Sequence, residues 1–185
     1  MKGVVFNLLQ AVVSEAHGDD AWDDLIDRAA ASGAYTSLGN YDDAELESLV
    51  EAACEKLGLD RGAVLRWFGQ QAMPHLASAY PAFFEGHVGT RTFMAGINDI
   101  IHAEVRKLYV GAECPHFNMR NAASDQMDLD YISSRRMCAL AQGFTEGAAR
   151  HFGEEIDFQH LTCTDRGDPR CTFRIAWPLT QAAHA

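Results

Sequence analysis

The stretch Tyr131-Ile132-Ser133-Ser134-Arg135 follows a predicted strand and opens a predicted helix, so it marks a change of structure within this chain. In an extended segment Tyr131 and Ser133 point to the same side, and Arg135 joins them as the chain turns. A phenol, a hydroxyl and a guanidinium fork together suit a phosphate or a pair of carboxylates. An exposed arginine at the end of a surface strand explains this spacing equally well.

A histidine in an apolar helix lies upstream of this stretch. The run from Thr90 to Tyr109 predicts a long helix that Gly111 ends. His102 lies among isoleucines in this helix and is therefore a candidate axial metal ligand. Taken alone, such a histidine is more often a core residue with satisfied polar atoms. Pro115 follows shortly after the helix.

A helix histidine, a proline after the helix and Tyr-x-Ser-x-Arg in the next strand pair, in that order, resemble the haem nitric oxide/oxygen binding (H-NOX) family. The resemblance extends over nearly the whole chain, from Met1-Lys2-Gly3 to a Cys-x-Phe-x-Ile hairpin near the other end. It implies that haem b is bound and that His102 is the proximal ligand of its iron. It also implies that Pro115 presses on the porphyrin and that the propionates are bound by Tyr131, Ser133 and Arg135.

The distal side of the implied haem pocket bears on which gas is bound. Oxygen-binding members of the family place a tyrosine five residues beyond the arginine of the motif, and this chain has Leu140 there. A hydrogen-bond donor stabilises bound dioxygen, whereas bound nitric oxide needs little such stabilisation. The family alignment adds Val5 and Leu9 as further apolar lining. We therefore expect a nitric oxide sensor that discriminates against oxygen, although Leu140 is equally compatible with ordinary helix packing.

The order of hydrophobic patterns predicts an α+β fold. The N-terminal half reads as helices from Met1 to Ala16 and from Ala21 to Ala31, followed by two more. The third is expected to begin at Asp42, with Glu45 completing a capping box, and to end at Gly58. Asp60 should cap the fourth, which Pro74 should kink or end.

The second half predicts an antiparallel sheet with one long helix, and the resemblance places haem between the two halves. Strands are expected over Pro115 to Arg120, Leu129 to Ser133, Ile156 to Thr164 and Cys171 to Trp177. The long helix is expected from Arg135 to Phe152. A length of 185 residues suits one domain, residues 1–185.

Charge and hydropathy exclude several classes of partner. The formal net charge is −11, and such a surface repels nucleic acid and anionic lipid. No stretch reaches the roughly 18 to 20 apolar residues of a membrane helix, and no signal-peptide cleavage pattern is present. Five cysteines without framework spacing argue against a secreted disulfide scaffold. These features predict a cytoplasmic protein that binds neither nucleic acid nor membrane.

Four residues near the C-terminal hairpin predict a second metal site. Cys138, His160, Cys163 and Cys171 provide three thiols and an imidazole, the ligand set of a tetrahedral structural zinc ion. A subset of H-NOX proteins resembles this chain here, with zinc bound by three cysteines and one histidine. Three buried thiols beside a surface histidine are the alternative.

The chain lacks signatures of an enzyme. No histidine–arginine pair at helical spacing lies near Leu140, as a haem peroxidase would need, and no phosphate loop or kinase signature occurs. Because no output segment follows the last predicted strand, we expect regulation of a separate signalling protein. The resemblance implies a histidine kinase or a cyclic-di-GMP enzyme as that partner, and weakening of the iron–His102 bond by nitric oxide as the signal.

One rival interpretation remains open. A haem-free, zinc-containing small-molecule binding module that resembles the vinyl reductase domain would explain Cys163 and Cys171. It leaves His102 and the Tyr-x-Ser-x-Arg motif without a role. Bound haem distinguishes the two interpretations.

Overall fold

The first part of the chain forms four helices with apolar faces packed against one another. The computed structural model describes residues 1–122 and 125–178. The helices are α1 (Gly3–His17), α2 (Asp19–Ala29), α3 (Asp43–Leu57) and α4 (Arg61–Ala79). Phe6, Leu46 and Leu65 are fully buried between them. The expected helical N-terminal half is therefore confirmed.

The ends of α3 and α4 follow from local capping chemistry. The Asp42 carboxylate accepts a hydrogen bond from the Ala44 N–H at 3.0 Å, and Asp60 accepts one from the Ala63 N–H at 2.8 Å. Gly58 ends α3 in the left-handed conformation, with φ of 65°. These three predictions are confirmed.

One further expectation for these helices is wrong, and another holds in at most one of its two forms. Glu45 does not complete a capping box, because its carboxylate accepts hydrogen bonds from the Ser32 N–H at 3.0 Å and the Tyr35 hydroxyl at 2.7 Å. Of the two outcomes expected at Pro74, a kink or an end, the end does not occur, because α4 continues to Ala79. Met73, directly before the proline, is buried, so packing in this part of α4 outweighs the hydrogen bond that a proline removes.

The predicted long helix is helical over nearly its whole length, but its middle is wider than an α-helix. It consists of α5 (Thr90–Gly96), a π-helical turn (Ile97–Ile101) and α6 (His102–Leu108), and we call these three segments the His102 helix. Gly111 follows with φ of 77°. A short 3-10 turn, Pro81–Phe83, leads into this region from α4. The π turn lies directly before His102, where such turns often mark functional sites.

The remainder forms a four-stranded antiparallel sheet with one helix against it. The strands are β1 (His116–Ala122), β2 (Gln126–Ile132), β3 (Asp157–Thr162) and β4 (Cys171–Ala176), and the helix is α7 (Cys138–His151). The strand order is β1-β2-β4-β3. Leu129, Phe173 and Ile175 are buried in one cluster with Ala141 and Ala148 of α7. The α+β fold is confirmed, although α7 begins three residues later than predicted.

Glycines let α4 and α7 approach closely and so join the helical half to the sheet half. A Cβ at Gly143 would overlap the Arg66 carbonyl, and one at Gly69 would meet the backbone around Leu140. Close to this contact, Glu146 of α7 accepts hydrogen bonds from Arg66 at 2.7 and 2.8 Å. The position of Leu140 is therefore fixed by a backbone-to-backbone contact.

Among residues 1–122 and 125–178, the structure contains no helix long and apolar enough to cross a membrane.

Candidate functional site

A cavity of about 330 Å³ lies where the first helices, the His102 helix, the sheet and α7 meet. This volume is within the usual range for small-molecule pockets, roughly 300–1,000 Å³. Its walls are mostly aliphatic and aromatic. Residues from every surrounding element contribute to them, including Val5, Leu8, Met73, Leu76, Ile97, Ile101, Phe117, Leu140 and Phe144. An apolar slot between two halves of the chain is suited to a flat apolar molecule.

His102 lines this cavity at the junction of the π turn and α6. Burial, aided by the positive charge of Arg106, lowers the pKa of His102 to about 4, and the nearby Pro115 carbonyl offsets this only in part. The imidazole is therefore neutral at physiological pH. Its Nδ1 is buried and has no hydrogen-bond partner among the described residues. A neutral imidazole facing an apolar slot is the form that binds transition metals.

Tyr131, Ser133 and Arg135 all lie at the same cavity. The Ser133 hydroxyl accepts a hydrogen bond from the Arg135 N–H at 3.1 Å, which fixes the turn between strand and helix. The Tyr131 side chain is buried, and burial raises the pKa of its phenol. The trio predicted from the sequence to bind an anion is thus assembled at one edge of the slot.

Arg135 already has acidic partners in this structure. Its Nε donates to Asp43 Oδ2 at 2.7 Å, and its guanidinium lies 3.3 Å from Glu113 Oε2 and donates to the Glu113 carbonyl at 2.9 Å. The side chain is 17% exposed. Any acidic group entering the cavity must therefore share this cation with two carboxylates.

The remaining cavity residues predicted from the sequence lie at this cavity, with one exception. Pro115, Leu140 and Val5 line it. The expectation that Leu9 also lines this cavity is wrong. Leu9 lines a separate cavity of about 240 Å³ within the helical half. Successive helix residues are rotated by about 100°, so Leu8 takes the expected place and Leu9 turns away from it.

Two features of the cavity were not predicted from the sequence. The hydroxyls of Tyr80 and Tyr109 are 2.8 Å apart and join the end of α4 to the end of the His102 helix. Lys2 lines the cavity and is buried. The sequence offered little signal for the tyrosine pair, because its members are far apart in the chain. The signal for Lys2 in the sequence is a single charge directly before the apolar stripe of α1.

The second predicted metal site is assembled only in part. The sulfurs of Cys138, Cys163 and Cys171 lie within 4.8 Å of one another, and those of Cys138 and Cys163 are 3.6 Å apart. His160 is not part of this cluster: its Nε2 is 2.9 Å from Gln142 Oε1, and its ring packs against Phe173. Asp165 Oδ2 lies 3.6 Å from the Cys138 sulfur instead. A bulge in β3 between His160 and Thr162 changes the direction of the intervening chain.

The cavity fits the cofactor that the sequence resemblance implies. Haem is flat and largely apolar, carries two carboxylates and needs an axial ligand. The slot offers aromatic and aliphatic walls, a neutral imidazole at His102, and a cationic edge at Arg135 beside hydroxyls.

Similarity to known proteins agrees with this chemistry. A family model described as Haem-NO-binding matches residues 2–160. A crystal structure of an H-NOX protein from S. oneidensis in the Fe(II)NO ligation state matches with a TM-score of 0.89 at 34% identity, covering 96% of this chain and 99% of that chain. An NMR structure of an H-NOX domain from Shewanella oneidensis in the Fe(II)CO ligation state gives 0.86 at 34% identity, covering 96% and 98%.

A more distant structure shares the fold. The crystal structure of the Fe(II) unliganded H-NOX protein from K. algicida gives a TM-score of 0.82 at 24% identity, covering 96% of each chain. A search of curated proteins gave no match. With the family model matching most of its length and a 34% identical structure covering 96% of it, this chain belongs to the H-NOX family of haem-binding gas sensors, which are not enzymes.

Proposed function

We propose that this chain senses nitric oxide at ferrous haem, discriminates against dioxygen and regulates a separate signalling protein. The observation that carries this proposal is the pairing, in one cavity, of a neutral His102 with an apolar side chain at Leu140. The similar S. oneidensis protein, whose structure is described in the Fe(II)NO ligation state, supports the choice of gas.

His102, Tyr131, Ser133, Arg135 and Pro115 would hold the haem, with the His102 imidazole as the side chain that would bind the iron. The group would supply a ferrous iron with one open position for a diatomic gas. The imidazole would bind as a neutral group, because burial lowers the pKa of His102 to about 4. The guanidinium of Arg135 suits a carboxylate, since its planar fork can donate two parallel hydrogen bonds.

Thr145 of α7 lines the same cavity as Leu140, but the proton of its hydroxyl is engaged by the backbone, which favours an apolar environment for the gas. The Thr145 hydroxyl donates to the Ala141 carbonyl at 2.8 Å. Dioxygen bound to iron carries partial negative charge, which a hydrogen-bond donor stabilises. The absence of a donor therefore weakens the binding of dioxygen more than the binding of nitric oxide.

The His102 helix is the element suited to pass a signal to another protein. It contacts the cavity through His102 and Ile101 and also exposes apolar side chains to solvent. Ile100 is 48% exposed, and Val110, just beyond the helix, is 83% exposed. A shift of this helix would change that surface. A histidine kinase or a cyclic-di-GMP enzyme is the proposed partner.

Substitution of Leu140 tests the gas selectivity. We expect Leu140→Tyr to form an oxygen complex that lasts longer than that of the wild-type protein, because the phenol adds a donor. Leu140→Phe adds similar bulk without a hydroxyl and is the matched control. Absorption spectra of the reduced proteins during exposure to air give the lifetimes. Equal lifetimes for the tyrosine and phenylalanine variants would show that hydrogen bonding does not set the selectivity.

We also propose that Cys138, Cys163 and Cys171 bind a structural zinc ion. In tetrahedral coordination with Zn–S bonds of about 2.3 Å, two sulfurs lie about 3.8 Å apart. The Cys138–Cys163 separation of 3.6 Å is close to this value. Burial raises the pKa of the Cys138 thiol, so deprotonation needs a compensating cation such as zinc.

The fourth zinc ligand is proposed to be His160, after its hydrogen bond with Gln142 breaks. Metal analysis beside a count of free thiols tests the site. We expect one zinc per chain and three fewer reactive thiols than in the chelator-treated protein. His160→Ala should weaken zinc retention, whereas Asp165→Ala should not. If Asp165→Ala weakens zinc retention and His160→Ala does not, the fourth ligand is the Asp165 carboxylate near Cys138.

A further inference from the structure

Lys2 is a buried cation at the edge of the large cavity. Lys2 is one of the residues that line the cavity, and it is only 8% exposed. Its Nζ donates to the Leu38 carbonyl at 3.3 Å. Within the described residues, no carboxylate lies within 4.0 Å of this ammonium. An ammonium has three donors and loses hydration when buried, so an anionic partner would stabilise this side chain.

The backbone holds Lys2 in this position. Lys2 forms an antiparallel bridge with Asn40, and the Gly3 N–H donates to the Gly39 carbonyl at 3.0 Å. A Cβ at Gly3 would overlap the Thr36 carbonyl, so the chain passes here without space for a side chain. The lysine is thus attached to a fixed segment, and binding a ligand costs less conformational entropy than it would on a mobile terminus.

The charges at the cavity edge also favour a second cation for the ligand. Arg135 interacts with the carboxylates of Asp43 and Glu113 at 2.7 and 3.3 Å. The N-terminal ammonium also pairs with Asp43, 2.6 Å from its Oδ1. A ligand with two carboxylates would bring four negative groups to these two cations, both of which are already paired. Lys2 forms no ion pair with Asp43 or Glu113. It is therefore the cation that an incoming carboxylate can recruit without breaking an existing ion pair.

We propose that Lys2 binds a carboxylate of the ligand in this cavity, alongside Arg135. The inference rests on the proposed function for the identity of that ligand as haem. Lys2 acts as a point charge with freely rotating donors, whereas Arg135 binds through a planar fork. Lys2 is a binding residue in this role and does not contact the gas.

The rate of haem loss to an excess of a haem-scavenging protein tests this role. It is measured for the wild-type holoprotein and for Lys2→Met, Lys2→Arg and Lys56→Met. The last variant removes a positive charge from α3, where Lys56 is paired with Asp24. We expect Lys2→Met to lose haem about tenfold faster, because a charge-assisted hydrogen bond is lost. Lys2→Arg and Lys56→Met should remain within about twofold of the wild type.

Reconstitution with haem dimethyl ester separates a carboxylate contact from a structural role. The ester lacks negative charges, so Lys2→Met and the wild type should lose it at the same rate. Equal acceleration with haem and with the ester would mean that Lys2 acts through the fold, and the proposal would be wrong. Equal rates of the two proteins with haem itself would also overturn it, while leaving the proposed function intact. A wild-type protein that retains neither haem nor its ester would overturn both.

Discussion

Asn98 forms two hydrogen bonds with the backbone of Phe117. Its Nδ2 donates to the Phe117 carbonyl at 2.6 Å, and its Oδ1 accepts from the Phe117 N–H at 3.1 Å. Asn98 lies in the π turn directly before His102, and Phe117 lies in β1, at the edge of the sheet. One side chain thus replaces a missing neighbouring strand and fixes the start of the His102-bearing segment to the sheet.

Replacement of Asn98 should destabilise the protein through this contact. We expect Asn98→Ala to lower the free energy of unfolding by about 1–3 kcal/mol, because two backbone groups of Phe117 lose their partner. The matched control is Asn118→Ala, at an exposed position of the same strand, with an expected change within about 0.5 kcal/mol. Urea unfolding measures both. Equal effects would mean that the paired hydrogen bonds do not stabilise the helix on the sheet.

The tyrosine pair at the other end of this helix should show energetic coupling. The Tyr80 and Tyr109 hydroxyls are 2.8 Å apart, and burial raises the pKa of Tyr109 to about 12. We expect Tyr80→Phe and Tyr109→Phe each to remove the same hydrogen bond. The double variant should then be more stable than the sum of the single effects predicts, by about 0.5–1.5 kcal/mol. Strictly additive effects would contradict the contact.

Gly143 should tolerate no larger residue, because its Cα faces the Arg66 carbonyl of α4. We expect Gly143→Ala to reduce the free energy of unfolding by about 1–3 kcal/mol and to displace Leu140 on the same helix. Arg150→Ala, at an exposed site of α7, is the control and should change stability little. Unfolding curves and the haem absorption maximum report the two effects. An unchanged stability would show that the helices separate at no cost.

Glu154 should make stability dependent on pH. Its Oε2 accepts from the Thr90 N–H at 2.9 Å and from Trp177 Nε1 at 3.1 Å. Burial alone would raise the pKa of Glu154, but these hydrogen bonds lower it below its ordinary value of 4.5. A carboxyl with a depressed folded-state pKa stabilises the fold above its unfolded value, and the contribution disappears as pH falls through the folded value.

We therefore expect Glu154→Gln to be less stable than the wild type at neutral pH, with the difference shrinking once the pH falls below about 4.5. Glu155→Gln, at the exposed neighbouring position, should show no such dependence. Urea unfolding at successive pH values compares the three proteins. A difference between Glu154→Gln and wild type that stays constant with pH would contradict the role of the charge.

The parts of the fold set by local chemistry could be predicted from the sequence. Asp42 and Asp60 cap helices within three residues of themselves, and Gly58 ends one, so each signal lies beside its effect. The resemblance to the H-NOX family grouped His102 with Tyr131, Ser133 and Arg135, and in the structure all four residues line one cavity.

Contacts between distant segments could not be predicted in the same way. No pattern in the sequence relates Asn98 to Phe117 or Tyr80 to Tyr109, because these pairs form only after the elements have packed. Leu9 shows the limit of alignment within a helix, where a shift of one residue turns a side chain by about 100°.

The absorption spectrum of the purified protein tests the central claim most directly. It is recorded after reduction without oxygen and then after separate exposure to nitric oxide and to air. We expect a Soret band that shifts with nitric oxide and no stable oxygen complex in air. A stable oxygen complex would contradict the selectivity. A protein that binds no haem even after reconstitution would contradict the sensor function itself and favour a haem-free, zinc-containing binding module.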